Sequence, residues 1–273
     1  MAFIELNNLI IDEEYLDLLK DSGLDSFEAL IEYADGEVVK KKATRSVMRL
    51  EVKALDGTAE VFYLKRHREK KPCKVSSLFK LPEGARNEWD MTISLAADGF
   101  DVMVPVAFGE RHLKGRMSET LTLTKEVSDT VRLSDYIPAL KGTAGARERL
   151  RIVGEMARLV KRFHDSGYNH QDMYLVHFFF RSSDGKMFLM DLQRVHKRVE
   201  LPVRWRVKDL AQFVFSGRGA GGLSSTDLVR FGHIYLGKDK FESEDKKLIA
   251  KVLAKAARIE RHDANLRERA KRG

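Results

Sequence analysis

The chain has 273 residues and 43% hydrophobic composition, enough for a substantial core in one large domain or two joined lobes; it shows no glycine or proline excess and no repeat, which excludes disordered and solenoid classes. Its single cysteine, Cys73, excludes an internal disulfide framework and a zinc cluster and fits a reducing compartment. A formal net charge of +8 points to an anionic partner without choosing among nucleic acid, an acidic membrane surface, a phosphorylated glycolipid and an acidic protein.

The excess charge is uneven. Between Glu37 and Lys80 there are thirteen Lys/Arg against five Asp/Glu, and the stretch from Lys246 to Gly273 is also basic. The start, MAFIELNNLIIDEEYLDLL, lacks the basic residues and unbroken apolar run of a signal peptide, and no run of about 18 apolar residues occurs. The expectation is a cytoplasmic protein that does not cross a bilayer.

Met1 to Tyr33 reads as a helical or mixed lead-in. The runs Val47–Val52 and Ala59–Leu64 flank Asp56-Gly57 and predict a β-hairpin. His67 to Ser77 is charged and aperiodic and reads as an exposed loop. From Gly84 to Ala97 the residues Trp89, Ile93 and Leu95 suit the buried face of a helix that Gly99 ends. Val102–Gly109 and Leu121–Val127 read as strands, completing a mixed sheet before a linker. From Ala146 to Gly167 the spacing of Leu150, Val153, Met156, Val160 and Phe163 predicts an amphipathic helix with Gly167 as its cap. Phe178–Phe180 and Met187–Met190 flank Ser182-Ser183-Asp184-Gly185, a second hairpin that delivers Asp191 to a strand end; Val207 to Arg269 is mainly helical. The expected organisation is α+β, with a sheet-rich N-terminal lobe over 1–127, a larger helical lobe over 128–273 and a ligand cleft between them.

The densest chemistry is the run His170-Gln171-Asp172-Met173-Tyr174-Leu175-Val176-His177, followed after the second hairpin by Asp191. Two loop carboxylates bracketing a hairpin suit phosphoryl transfer: one orients an attacking hydroxyl and accepts its proton, the other holds the magnesium that bridges nucleotide phosphates. Upstream, Lys65 at the end of a strand and Glu88 in the next helix form a second constellation. Such a pair aims an ammonium at nucleotide phosphates in kinases. A lone H-x-D or a lone lysine in a lysine-rich stretch is weak; the ordered set is far more specific.

The runs Phe62–His67, Ala85–Trp89, Pro105–Arg111, His170–Phe178, Met190–Val195, Arg204–Leu210 and Gly222–Leu228 together resemble the lipopolysaccharide kinase family, its core heptose kinases in particular. The resemblance spans about Arg45 to Gly237. It implies a bilobal protein-kinase-like fold, ATP with Mg2+, and transfer of the γ-phosphate to a heptose hydroxyl of the lipopolysaccharide inner core at the inner face of the cytoplasmic membrane. On the matching positions it implies Asp172 as catalytic aspartate, Asp191 as metal ligand, and Lys65 with Glu88 as the phosphate-positioning pair. It places adenine against backbone groups near Thr124-Lys125-Glu126. His177 stands where protein kinases carry a metal-binding Asn; neutral imidazole is a poor magnesium ligand, so a role in steadying the loop or touching a phosphate is expected. Asp209 falls where related folds brace the catalytic loop, although an exposed carboxylate near a helix start would look the same locally.

The chain also departs from the wider kinase pattern. No G-x-G-x-x-G precedes Lys65, and Lys40-Lys41-Lys42-Ala43-Thr44-Arg45 lies in its place, so basic side chains are expected to replace a glycine clamp. Gln193 replaces the glycine of D-F-G and no A-P-E follows, which favours a small-molecule or glycolipid acceptor. Alternatives are a kinase for another lipopolysaccharide sugar such as Kdo, or for a small molecule, and a non-catalytic kinase-like module docking on membrane or on an acidic protein. Nucleic acid is disfavoured because the basic stretches carry few aromatic residues able to stack on bases.

Overall fold

The computed structural model describes residues 1–53, 57, 59–70, 84–112, 117–219 and 222–272. These form two compact units, Met1–Ser128 and Asp129–Gly273.

Among the described residues, the first unit is a seven-stranded antiparallel sheet with three α-helices. Its strands are β1 (Phe3–Leu6), β2 (Leu9–Asp12), β3 (Glu37–Lys42), β4 (Arg45–Lys53), β5 (Ala59–Lys70), β6 (Val104–His112) and β7 (Met117–Lys125), in the order β1-β2-β6-β7-β5-β4-β3. Alternation divides the sheet into two faces, because directly paired residues share a face. One face carries Leu50, Phe62, Leu64, Leu121 and Leu123, closed over by Leu19 of α1 (Leu16–Asp21) and by Phe27 and Leu30 of α2 (Phe27–Glu32). Each of these fully buried side chains contributes roughly 1.5–3 kcal/mol. On the opposite face Trp89 of α3 (Ala85–Ala97) stacks on Phe108 at 5.7 Å and meets Phe3 edge-on at 5.3 Å. Gly99, at φ 76°, follows the end of α3 as expected.

The predicted first hairpin is present as β4 and β5, with its Asp56 outside the described residues. The predicted loop from His67 begins instead as strand: β5 pairs with β7 as far as Lys70, His67 is buried, and the remainder, 71–77 with Cys73, lies outside the described residues. The reason is that Arg68 finds a buried partner, Glu119, on the neighbouring strand, so its charge does not forbid the sheet. The run 37–42, to which the sequence pattern assigned no element, is the fully exposed edge strand β3; lysines on an edge blunt further pairing.

The second unit begins with β8 (Thr130–Arg132) and α4 (Leu133–Ala139), and its centre is α5 (Gly142–Asp165). Strands β9 (Tyr168–Asn169), β10 (Phe178–Arg181), β11 (Met187–Leu189) and β12 (His196–Lys197) form a three-stranded sheet, β11-β10-β8, and a small pair, β12-β9. Helices α6 (Val203–Arg218), α7 (Ser225–Leu236) and α8 (Ser243–Arg272) complete it. Val153, Met156, Val160 and Phe163 of α5 are fully buried as the spacing predicts, whereas Leu150 is 39% exposed. Leu150 lies at the edge of that stripe; its centre at that turn is Arg149, which reaches Asp227 at 3.9 Å. The start of α7 is a capping box, Ser224 and Asp227 each accepting the other's backbone N–H.

Gly167 ends α5 at φ 85° and pairs with Arg198, whose N–H donates to its carbonyl at 2.9 Å. A Cβ at Gly167 would run into the Arg198 carbonyl oxygen. Gly167→Ala is therefore expected to cost about 2–4 kcal/mol, from the left-handed backbone and the clash together. Urea denaturation checks this; an unchanged midpoint would mean that the chain does not close on Arg198 there.

Candidate active site

In the first unit, Lys65 lies in one cross-strand row with Val47 and Thr122, on the face that α3 covers. Glu88 falls in the first turn of α3, where the helix dipole favours a carboxylate. The Lys65 Nζ donates to Glu88 Oε2 at 2.6 Å, with the two side chains 23% and 6% exposed. Glu88 is held in turn through its own carbonyl, which accepts Thr92 Oγ1–H at 2.7 Å. The expected strand lysine and helix glutamate thus meet. Lys40 pairs with Val47, so Lys40 and Lys65 share that row across the sheet; β3 and β4 join through Ala43-Thr44 rather than a glycine loop.

Lys125 and Glu126 have side chains already occupied. Lys125 Nζ donates to Glu60 at 2.8 Å and lies over the Tyr15 ring, while Glu126 accepts from Arg49 Nε and Tyr63 O–H, each at 3.1 Å. The Arg49 guanidinium holds the Glu126 carboxyl below the usual range. The Glu126 N–H donates to the Val61 carbonyl at 2.8 Å, which withdraws that N–H from the expected contact with adenine.

In the second unit, the loop from His170 to His177 is fastened from one side by α6. Asp209, wholly buried, accepts the N–H of His170 at 2.7 Å and of Gln171 at 2.8 Å. Gln212 accepts from Met173 N–H and donates to the Gln171 carbonyl; Ser216 accepts from Leu175 N–H at 2.8 Å. These three side chains recur at i, i+3 and i+7, one face of the helix. They satisfy loop amides that would otherwise be buried unpaired, and hold Gln171 at φ 65°, a conformation costly for a non-glycine residue. Asp209 is therefore a buried brace and not an exposed carboxylate near a helix start. Because a carboxylate only accepts, His164 Nε2 donates to Asp209 at 3.3 Å, and its Nδ1 lies 2.9 Å from the Tyr235 hydroxyl oxygen.

Asp172 is 27% exposed and receives Arg194 Nη1 on both oxygens, at 3.1 and 3.2 Å. Asp191 follows β11 in the left-handed conformation, φ 59° and ψ 60°, with its side chain 47% exposed. His177 Nδ1 lies 4.0 Å from Asp191 Oδ2, beyond hydrogen-bond reach, and its ring stacks on His170 with centroids 5.9 Å apart. Burial, then His170, pushes the His177 imidazole below the ordinary histidine range, so it is neutral near pH 7. Its carbonyl accepts Met190 N–H at 3.0 Å, and His170 Nε2 donates to the Met190 carbonyl at 3.0 Å, so the loop is tied to the strand that delivers Asp191. Among the described residues no group of three or more His, Cys, Asp or Glu converges as a metal cage. Magnesium in nucleotide sites needs none: one or two carboxylates with phosphate oxygens suffice, and the accessible Asp191 fits that pattern.

Sequence reasoning did not single out Arg194, Gln212, Ser216 or His164. The polar stripe Asp209, Gln212, Ser216 within an apolar helix was the available signal, since polar groups at core spacing need buried partners.

A strand lysine paired with a helix glutamate, and an H-x-D loop braced from below and followed by a second carboxylate, define a protein kinase-like phosphotransferase. A solved structure of WaaP in complex with acyl carrier protein agrees in fold, with a TM-score of 0.69 and 28% identity over 92% of this chain and 98% of that one. Residues 31–235 match the lipopolysaccharide kinase (Kdo/WaaP) family, and the chain belongs to it. It is similar to the lipopolysaccharide core heptose(I) kinase WaaP of Escherichia coli K12, 30% identical over 87% of this chain and 92% of the relative. The protein of the same name from Pseudomonas aeruginosa is 32% identical, over 83% of this chain and 85% of the relative.

Asp209→Ala strands two buried loop amides and is expected to cost about 3–5 kcal/mol, with Asp209→Asn retaining part of the bracing. Hydrogen exchange at His170 and Gln171 checks this: protection unchanged in Asp209→Ala would show that the loop does not depend on the carboxylate.

Proposed function

We propose that the protein is an ATP-dependent kinase that transfers the γ-phosphate to a heptose hydroxyl of the lipopolysaccharide inner core. The observation that carries the reading is the fastened loop, which carries Asp172 and is tied through Met190 to the strand that delivers the accessible Asp191, in a chain similar over most of its length to core heptose(I) kinases. Asp172 orients the acceptor hydroxyl and takes its proton. Lys65, steadied by Glu88, positions nucleotide phosphates, with Lys40 and its neighbours supplying charge where glycines are lacking. Asp191 holds magnesium, which when bound neutralises charge on the phosphates. His177, neutral and stacked, steadies the loop. Near Lys125 and Glu126 any hold on adenine comes from backbone groups other than the Glu126 N–H.

Among the described residues no helix is long and apolar enough to cross a membrane, and we place the enzyme peripherally at the cytoplasmic face of the inner membrane, where basic surface meets anionic lipid. An acidic protein partner of the acyl carrier type is supported by the solved relative and by the exposed basic residues of α8, among them Lys246, Lys247, Lys251, Arg258 and Arg261.

The expected outcome for Asp172→Asn is a loss in kcat of roughly 10²–10⁴-fold with nucleotide affinity retained. Asp191→Asn should instead weaken magnesium-dependent nucleotide binding, read by calorimetry with Mg-ADP. Full turnover by Asp172→Asn would overturn the assignment of the base.

A further inference from the structure

Beside the Asp172 loop, the second unit gathers several cations about one aromatic side chain. Three cations surround one indole: Arg198, Arg204 and Lys208 lie 5.0, 5.4 and 5.5 Å from the centre of the Trp205 ring. Lys208 joins this group to the loop, donating to Gln171 Oε1 at 3.3 Å, and the Gln171 side chain in turn donates to the Arg194 carbonyl at 2.9 Å. Arg194 then reaches both oxygens of Asp172. Cations and base form one continuous patch.

Asp209 is the carboxylate whose charge reaches Arg198, and Asp172 and Asp209 those whose charge reaches Lys208. Both are committed, Asp172 to Arg194 and Asp209 to the loop amides and His164. Glu200, exposed in the same connecting segment, forms no ion pair among the described residues. Arg198 is held by a neutral group, its guanidinium donating to Asn169 Oδ1. Burial and then Arg194 depress the Lys208 ammonium, and burial and then Arg204 depress the Arg198 guanidinium, so each bears the proximity of another cation. An indole face attracts each cation only weakly, too little to account for three at one ring.

We propose that Arg198, Arg204 and Lys208 about Trp205, with Arg194 joined to them through Gln171, form an acceptor subsite that takes an anionic group, phosphate or carboxylate, carried by the acceptor's sugar chain beside the hydroxyl that Asp172 addresses. The proposal rests on the kinase reading above and deepens it by naming what the acceptor must carry. It commits to the sugar chain rather than a membrane headgroup because the patch is continuous with the base through Lys208, Gln171 and Arg194.

The test uses the full chain with Arg204→Gln, Lys208→Gln and the conservative Lys208→Arg. Deacylated core oligosaccharide with its anionic groups intact is titrated calorimetrically into each. The expected result is binding to the unaltered protein, weakened roughly tenfold or more in each Gln variant and largely restored in Lys208→Arg. In turnover, the preference in kcat/KM for this acceptor over a neutral methyl heptoside should fall by a similar factor. Equal affinity in all variants would overturn the subsite. So would a response confined to phosphatidylglycerol vesicles free of glycolipid, which would make the patch a membrane contact. If the unaltered protein phosphorylates neither acceptor, the kinase reading fails, while the titration still decides the subsite.

Discussion

A single buried carboxylate holds the candidate chemistry in place. Asp209 accepts from the backbone of His170 and Gln171 and from His164, and those amides have no strand or helix of their own to satisfy them. The left-handed Gln171 is sustainable only because its N–H, carbonyl and side chain are all engaged. With the loop fixed, Asp172 projects from a rigid base, and backbone hydrogen bonds to Met190 carry that fixation on to Asp191. Pre-organisation of this kind matters because phosphoryl transfer asks a protein mainly for positioning and for charge.

The first unit applies the same logic with different parts. A strand lysine by itself would sample many rotamers, and a carboxylate at 2.6 Å reduces that freedom while the apolar stack of Trp89 on Phe108 sets the helix that supplies it. Its opposite face is closed by α1 and α2, so the sheet is covered there by an apolar core.

Much of this was legible in the sequence because it rests on periodicity and on local turn chemistry. The hairpin of β4 and β5, the helix α5 with its Gly167 terminus and the hairpin of β10 and β11 follow from alternation, from 3.6-residue spacing and from glycine at positive φ. The ordered set Lys65, Glu88, Asp172 and Asp191 was visible because its residue types are unusual together. What was not legible depends on partners distant in sequence. His67 and Arg68 read as loop until Glu119 is placed beside Arg68, and β3 gave no strand signal because an exposed edge strand needs no apolar face. Arg194 stood inside a recognised run without a role, since its tie to Asp172 spans a hairpin and cannot be seen from spacing. The backbone use of Glu126 N–H likewise appears only once β5 is paired.

Membership of the lipopolysaccharide kinase (Kdo/WaaP) family and the braced loop both support the proposed phosphate transfer to a core sugar. The most direct measurement is transfer from γ-labelled ATP, with magnesium, to lipopolysaccharide from a strain lacking core heptose phosphate. The account predicts label in the core, located on a heptose by mass spectrometry. Demonstrable nucleotide binding with no label in the core, under conditions where a known core kinase labels it, would contradict it.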